Sequence, residues 1–288
     1  MGRVLDALAE WLKEILISFI TGNLTGLFDS VNNSVTDVTN LVGQDPSSFN
    51  PAIFNLIRNI SETVIMPIAG IVLTFVACIE LIHLVIDHNN LANFETWFIF
   101  KWIFKTACAV YLISNVFTIT MAVFDVASHV VRSSGSLISG STAVTGSQLD
   151  AMMVTLESMD LGPLFALAAS SLIVGITLRI LSAFIFVIVY GRMIEIYMTV
   201  SLAPIPFSTF ASREAGMMGK NYFRSIAALG FQGFLMMVCI GIYAVLVQSI
   251  SFSSDITGSI WGVIGYTALL CFSLLKTSSL ARSIFHAH

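Results

Sequence analysis

Five long apolar runs hold most of the hydrophobic residues of this 288-residue chain. The runs cover residues 64–86, 97–124, 164–190, 223–247 and 256–275. At a rise of about 1.5 Å per residue, a helix of any of these lengths can cross a hydrocarbon core of about 30 Å. The runs lack the apolar–polar alternation of a barrel strand, and backbone amides in lipid must be paired within the segment. The sequence therefore predicts an all-α, polytopic membrane protein with about five transmembrane helices.

Composition and motifs exclude several functional classes. Charged residues make up only 10% of the chain, and the net charge of −4 is too small to indicate a nucleic-acid-binding surface. The four cysteines lie inside the predicted spans without CxxC spacing, which predicts buried thiols and neither disulfides nor a metal site. Phosphate-binding, zinc-protease and hydrolase motifs are absent from the sequence. We therefore expect no enzyme activity, no cofactor and no metal.

The lysines and arginines near the spans predict how the chain sits in the cytoplasmic membrane. With five spans, one face carries Lys101, Lys105, Arg192, Arg213, Lys220, Arg224, Lys276 and Arg282, and the other carries Arg3, Lys13, Arg58 and Arg132. Because cytoplasmic loops are enriched in these residue types, the first face is predicted to be cytoplasmic. The N-terminus is then outside and the C-terminus is in the cytoplasm.

Residues 1–63 are predicted to be extracytoplasmic, and residues 64–288 to form the membrane domain. Within residues 4–19, apolar side chains recur every three or four positions, with charged residues on the opposite side, which predicts an amphipathic helix. This helix lies on the membrane surface, on its own protein or on a neighbouring subunit. Residues 22–51 are rich in Asn, Ser, Thr and Asp and contain Pro46 and Pro51, so a polar loop is expected there.

Two connections in the membrane domain are long. An outer loop is predicted over residues 125–163, and its Ser-, Gly- and Thr-rich centre, 133–147, is expected to be flexible. A cytoplasmic loop is predicted over residues 191–222. The apolar pattern also allows the third span to continue to residue 202 as one helix of about forty residues.

Arg179 lies halfway along the third apolar run. An ionised side chain in the middle of a bilayer costs about 2.5–3.5 kcal/mol on insertion scales, so it needs a partner or water. We predict that Arg179 lines a channel or contacts another subunit. The alternative is a helix shifted in register, so that Arg179 reaches an interface.

Four polar residues approach one cytoplasmic boundary. Glu80 and His83 lie one helical turn apart at the end of the first span, and Lys101 and Lys105 lie one turn apart at the start of the second. A pair between Glu80 and Lys105, or between Glu80 and Lys101, is therefore expected. We interpret it as a structural ion pair and not as a proton relay. Glu80, Lys101 and Lys105 are also candidates for channel lining or oligomer contact.

The most distinctive segment joins the third and fourth spans. Arg192-Met-Ile-Glu195 is followed by Ser201-Leu-Ala-Pro-Ile-Pro-Phe207. Pro204 and Pro206 remove two backbone donors and force the chain out of a helix. Further on, Asn221-Tyr-Phe-Arg-Ser leads to Gly230-Phe-Gln-Gly-Phe. The proline turn taken alone fits an ordinary exit from the membrane.

Taken together, these motifs resemble the TrbL-like family, the polytopic membrane subunit of conjugative type IV secretion systems. The likeness is greatest to versions from conjugative elements of Gram-positive bacteria, and its specific part is residues 191–234. The resemblance implies a homo-oligomeric, non-enzymatic channel subunit that contacts single-stranded DNA and its relaxase in transit. Separate ATPases would supply energy, and a coupling protein would deliver the substrate. The turn with Arg192, Glu195, Pro204 and Pro206 would contact inner-membrane partners.

Two other classes of membrane protein stay open. A secondary transporter or permease is expected to show internal repeats and helices broken near the midplane, and we find neither in the five runs. A structural scaffold of another membrane complex shares every bulk property with a channel subunit. A path for single-stranded DNA needs basic or polar groups, which are few here, so a ring of subunits would have to repeat Arg179 or Lys101.

Overall fold

The computed structural model describes residues 2–87, 96–139, 146–250 and 256–287, and every regular element in these ranges is helical. The helices are α1 (Gly2–Gly43), α2 (Pro46–Phe49), α3 (Pro51–Ile60), α4 (Met66–Asp87), α5 (Thr96–Ser114), α6 (Val116–Ser139), α7 (Gly146–Ser158), α8 (Leu161–Ser201), α9 (Pro204–Ser208), α10 (Gly216–Gln248) and α11 (Ile256–Ile284). A π-helical turn, Ser61–Ile65, joins α3 to α4. The predicted all-α, polytopic membrane fold is confirmed.

Within the described ranges, six helical segments are long and apolar enough to span a membrane, where five were predicted. The difference arises at Asn115, because the predicted span 97–124 falls on both α5 and α6. Helical hydrogen bonds nevertheless continue across this residue, from Asn115 N to Tyr111 O (3.3 Å) and from Ile119 N to Asn115 O (3.0 Å). Since an antiparallel helix pair needs a connection of about two to five residues, the chain does not reverse at Asn115. The orientation of the termini stays a prediction.

The predicted polar loop over residues 22–51 is wrong for its first part, because α1 continues through it to Gly43. Polar composition suggested a loop, yet the apolar residues among these positions are placed so that Leu24, Val38 and Val42 become buried along one helix. The two prolines behave differently from expectation as well. Each stands at the start of a helix, where a missing N–H costs nothing, and Asn50 caps α3 by accepting from Ala52 N and Ile53 N (both 3.1 Å).

The N-terminal half of α1 keeps the predicted amphipathic pattern. Lys13 Nζ donates to Glu157 O in α7 (2.8 Å), and Ile20 is buried, so part of this helix packs on its own protein. The apolar face formed by Leu8, Trp11 and Ile15 is exposed. Contact of that face with lipid or with a neighbouring subunit stays a prediction.

Both predicted loops are largely helical. Residues 125–139 belong to α6, and residues 146–158 form α7; residues 140–145, in the centre expected to be flexible, lie outside the described ranges. The predicted loop 191–222 is occupied by the end of α8, by α9 and by the start of α10. The long-helix alternative is therefore confirmed, since α8 has 41 residues. Both loop predictions ended the helices at the boundaries of the apolar runs, whereas the helices continue into the more polar residues beyond them.

The chain divides into two compact units. Unit 1 contains Met1–Gly43, Val131–Val189 and Leu235–Thr277, and unit 2 contains Gln44–Val130, Tyr190–Phe234 and Ser278–His288. The core of unit 2 includes Phe124, Met193 and Ile226. The predicted division between residues 1–63 and 64–288 depends on sidedness and stays a prediction.

Many large apolar side chains face outward, as expected for helices in lipid. Phe75, Phe104 and Phe184 are all exposed. The prediction of four buried thiols is wrong for Cys78 and Cys108, which are also exposed. In a bilayer, apolar character does not imply burial within the protein, because the surrounding solvent is itself apolar.

Candidate functional site

Glu80 lies at the centre of a polar cluster in unit 2. Its carboxylate, only 10% exposed, accepts from Lys105 Nζ (2.9 Å) and from the backbone N–H of Arg213 (2.5 Å). The Arg213 Nε lies 3.9 Å from the same carboxylate. The Glu80–Lys105 pair expected from the sequence is therefore present. The contact with Arg213 was missed, because no local spacing relates residues so far apart in the chain.

A second residue of α4 lies near the connection between α9 and α10, residues 209–215. His83 Nε2 lies 3.6 Å from Glu214 Oε1. The outer side chains of this connection stay accessible, with Glu214 74% exposed and Arg213 62% exposed. Glu80 thus fixes the backbone of this loop through the Arg213 N–H, while His83 approaches the exposed side chain of Glu214. Lys101, by contrast, is an exposed residue of α5, and the carboxylate of Glu80 pairs with Lys105.

The proline turn is packed inside unit 2. Helix α8 ends at Ser201, and Pro204 occupies the first position of α9 with its ring buried. Tyr222 Oη of α10 donates to Thr199 O near the end of α8 (2.6 Å), and the Phe207 ring packs edge-on to Tyr222. The turn is therefore a fixed support and not a projecting loop.

Arg192 and Glu195, placed one turn apart by the sequence, occupy different surroundings. Arg192 is 5% exposed and donates from Nη2 to Gly230 O (3.5 Å), where α6 and α10 approach closely. Glu195 forms an ion pair with Arg282 near the end of α11. Arg282 was missed as a site residue; its place in the last turn of a helix, where basic side chains are favoured, was the available signal.

Residues of four helices of unit 1 (α1, α8, α10 and α11) line an open cavity of about 460 Å³. Arg179 of α8 and Asp37 of α1 are its charged lining residues. Two hydrogen bonds join four of its six neutral polar side chains in pairs. Asn23 Nδ2 lies 3.4 Å from Ser171 Oγ, and Tyr243 Oη lies 3.0 Å from Thr267 Oγ1. A volume of this size is in the range of about 300–1,000 Å³ that is usual for small-ligand sites.

Small and polar residues on one face of α1 create the space. Gly22, Gly26, Asn33 and Asp37 recur at intervals of four, seven and four residues, which places them along one side of a helix. A Cβ built on Gly22 or Gly26 meets no atom within 4 Å, so these glycines face open volume. This spacing could have revealed the face, but a loop interpretation of residues 22–51 concealed it.

Metal binding finds no support in the part of the chain that the structure describes. There, no three His, Cys, Asp or Glu side chains are grouped so that they could hold a metal ion.

The six long apolar helical segments of the described residues place the protein in the class of multi-pass membrane proteins. A family model described as "TrbL/VirB6 plasmid conjugal transfer like protein" matches residues 31–204. Because the match covers more than half of the chain, the protein belongs to the TrbL/VirB6-like family and is a membrane component of conjugal transfer. No curated protein and no solved structure matches it.

The limits of the match refine the resemblance found in the sequence. Arg179, Arg192 and Glu195 lie inside it, and Pro204 is its last residue. Pro206 and the motifs of residues 221–234 lie outside it, although they contributed to the resemblance. The family is not a known enzyme family, and its membership implies association with other components of a transfer system.

Proposed function

We propose that this protein is a subunit of the translocation channel of a conjugative type IV secretion system. In this role it helps single-stranded DNA and its attached relaxase to cross the cytoplasmic membrane. The observation that carries the proposal is the family match over residues 31–204, which includes four of the six candidate spans in whole or in large part. The channel is a homo-oligomer, while separate ATPases and a coupling protein provide energy and substrate.

The connection 209–215 is the proposed contact site for these inner-membrane partners. Its backbone is fixed by Glu80, while Arg213 and Glu214 present exposed charges of opposite sign. Exposed charges of this kind fit a rim that guides partner recognition. Pro204, Pro206, Arg192 and Glu195 then act as the support of this surface, since Pro204 and Arg192 are buried.

Lys101 is the proposed basic group of the DNA path. It is exposed on α5, and a ring of subunits would repeat its charge around an axis. Lys105 is less suited, because its ammonium group is already paired with Glu80. Arg179 lines the cavity of its own unit. We therefore assign it to assembly of the subunit into the oligomer, and not to the lining of the DNA path.

Transfer frequency in a donor strain that lacks this gene tests the proposal. Transfer should fall to background and return when the intact gene is supplied on a plasmid. Crosslinking of DNA in transit to the complemented protein should then succeed. Unchanged transfer would overturn the proposal and favour a transporter or a scaffold of another complex, and restored transfer without DNA crosslinks would favour a scaffold within the secretion system.

Arg179→Leu tests the assignment of Arg179 in the same assay. Transfer should be lost while the amount of membrane-inserted protein stays unchanged. Leucine is compatible with the span, but it brings neither a charge nor a hydrogen-bonding group to the cavity. Arg224→Leu is the matched control, since Arg224 is an exposed arginine that does not line the cavity. Normal transfer by Arg179→Leu would contradict the assignment.

A further inference from the structure

Four neutral polar residues of the unit 1 cavity are hydrogen-bonded in pairs, whereas its two charged residues are not. Asn23 with Ser171, and Tyr243 with Thr267, already bond to each other. Among the described residues, neither Arg179 nor Asp37 has a hydrogen-bond or ion-pair partner within the protein, and no ion pair within 4.0 Å joins the two. The cavity therefore presents one cation and one anion on separate helices.

In a membrane, a charge without a partner inside the protein is energetically costly. Arg179 belongs to the candidate span Leu161–Ser208, where an ionised side chain needs water or a counter-charge. Asp37 adds a second charge to the same cavity. A ligand that carries both an anionic and a cationic group can satisfy both residues at once, whereas a simple anion would lie in the same cavity as the Asp37 carboxylate.

The rim of the cavity favours a lipid as the source of that ligand. Leu172 and Ile176 line it, and both are among the exposed apolar residues of α8. Exposed apolar residues on a membrane span face acyl chains. A headgroup in the cavity would thus leave its acyl chains along a surface of matching chemistry.

From these observations, we infer that the unit 1 cavity binds a zwitterionic phospholipid headgroup, with its phosphate at Arg179 and its ammonium group at Asp37. The chemistry required is that of a phosphate linked to a primary ammonium, as in phosphoethanolamine. Guanidinium groups bind phosphate through charge-assisted hydrogen bonds, and carboxylates accept them from ammonium groups. The inference rests on the role that the proposed function assigns to Arg179. Its test measures lipid binding and not DNA transfer, so the lipid inference and the proposed function can fail independently.

Native mass spectrometry of the delipidated protein in detergent tests the inference. The protein should form a one-to-one adduct with phosphatidylethanolamine at concentrations where phosphatidylglycerol, which lacks the ammonium group, gives at least about tenfold less. Equal binding of the two lipids would overturn the zwitterion assignment. A competing adduct of equal strength with soluble phosphoethanolamine would overturn the lipid assignment, and the absence of any adduct would overturn both.

Charge-removing variants locate the site. Arg179→Gln and Asp37→Asn should each weaken the phosphatidylethanolamine adduct by about tenfold or more, and Arg179→Lys should restore most of it. Arg224→Gln and Asp160→Asn are the matched controls, because both residues are exposed and neither lines the cavity. If the controls weaken the adduct as much as the cavity variants, the inference is wrong. Should any variant fail to fold, the preference of the wild-type protein for phosphatidylethanolamine over phosphatidylglycerol still tests the inference.

A variant that fills the cavity without changing charge provides an independent test. Gly26→Leu adds a side chain where a Cβ meets no atom within 4 Å, and it replaces a glycine inside a helix by a strong helix former. The adduct should be lost while thermal stability is kept. Gly70→Leu makes the same change at an exposed position of α4 with equally open surroundings, and its adduct should persist. An adduct of normal strength in Gly26→Leu would place the lipid elsewhere.

Discussion

Gly219 marks the closest approach of backbones near the proline turn. A Cβ at this position would lie 2.8 Å from Pro206 O and 3.1 Å from the Phe210 ring. Gly219→Ala is therefore expected to destabilise the protein by about 1–3 kcal/mol through overpacking, less any gain of helix propensity. The change should appear as a lower Tm in detergent.

Gly216→Ala is the control for that substitution. It lies in the first turn of the same helix, yet its added Cβ would meet the nearest atoms at 3.6 Å, an ordinary contact. It should leave the Tm unchanged or raise it slightly. Equal effects of the two alanines would mean that the close approach to Pro206 does not determine stability.

The Glu80–Lys105 pair should couple energetically, because the carboxylate is nearly buried. In a double-mutant cycle with Glu80→Gln and Lys105→Met, we expect a coupling free energy of about 1–3 kcal/mol. The cycle is measured from the free energies of unfolding of the four proteins.

The exposed Arg58–Glu62 pair offers a comparison within the same unit. It lies at helical spacing with a similar distance of 2.8 Å, but both side chains are well exposed. Its coupling should not exceed about 0.5 kcal/mol, because solvent weakens such pairs. A larger coupling for Arg58–Glu62 than for Glu80–Lys105 would contradict the view that burial sets the strength.

Among the elements, the proline turn connects the longest transmembrane helix to the proposed contact surface. Pro204→Ala combined with Pro206→Ala restores the missing backbone donors, so α8 is able to continue past Ser201 and displace residues 209–215. Association with inner-membrane partners should fall more than the amount of protein. Co-purification from the donor membrane, normalised to protein level, measures this difference. A parallel fall of both would show that the prolines serve folding alone.

Helices were the part of the fold that the sequence predicted best, and their ends were predicted worst. Apart from Asn115 in the second run, the residues of all five apolar runs belong to helical segments, and the helix of about forty residues anticipated through Arg192 was found. The failures at residues 22–43 and 125–139 have one cause. Polar composition was interpreted as loop, whereas polar residues on one face of a packed helix give the same composition.

For the whole molecule, the remaining prediction is orientation. The lysines and arginines near one set of span ends, including Lys276 and Arg282 on α11, should hold the C-terminus in the cytoplasm. A C-terminal green fluorescent protein fusion should therefore fluoresce, and a C-terminal alkaline phosphatase fusion should be inactive. The reverse pattern would contradict the predicted cytoplasmic location of the C-terminus. N-terminal fusions provide the complementary control, with the opposite result expected.

The sequence by itself determined the class of protein, the helical fold and the family. Hydrogen bonding within a helix is local, and lipid leaves no other partner for backbone amides, so the apolar runs were sufficient to specify helices. Local spacing also sufficed for the Glu80–Lys105 pair, because a short connection brings the ends of two spans together.

Only the tertiary structure decided which distant groups meet. The contact of Glu80 with Arg213, the burial of Arg192 against Gly230 and the cavity between Arg179 and Asp37 each join segments far apart in the chain. Which faces of two helices meet depends on side-chain volume and shape along both of them. The faces rich in glycine and polar residues on α1 and α8 produce a cavity only when packing sets them opposite each other, and helical periodicity alone does not encode that choice.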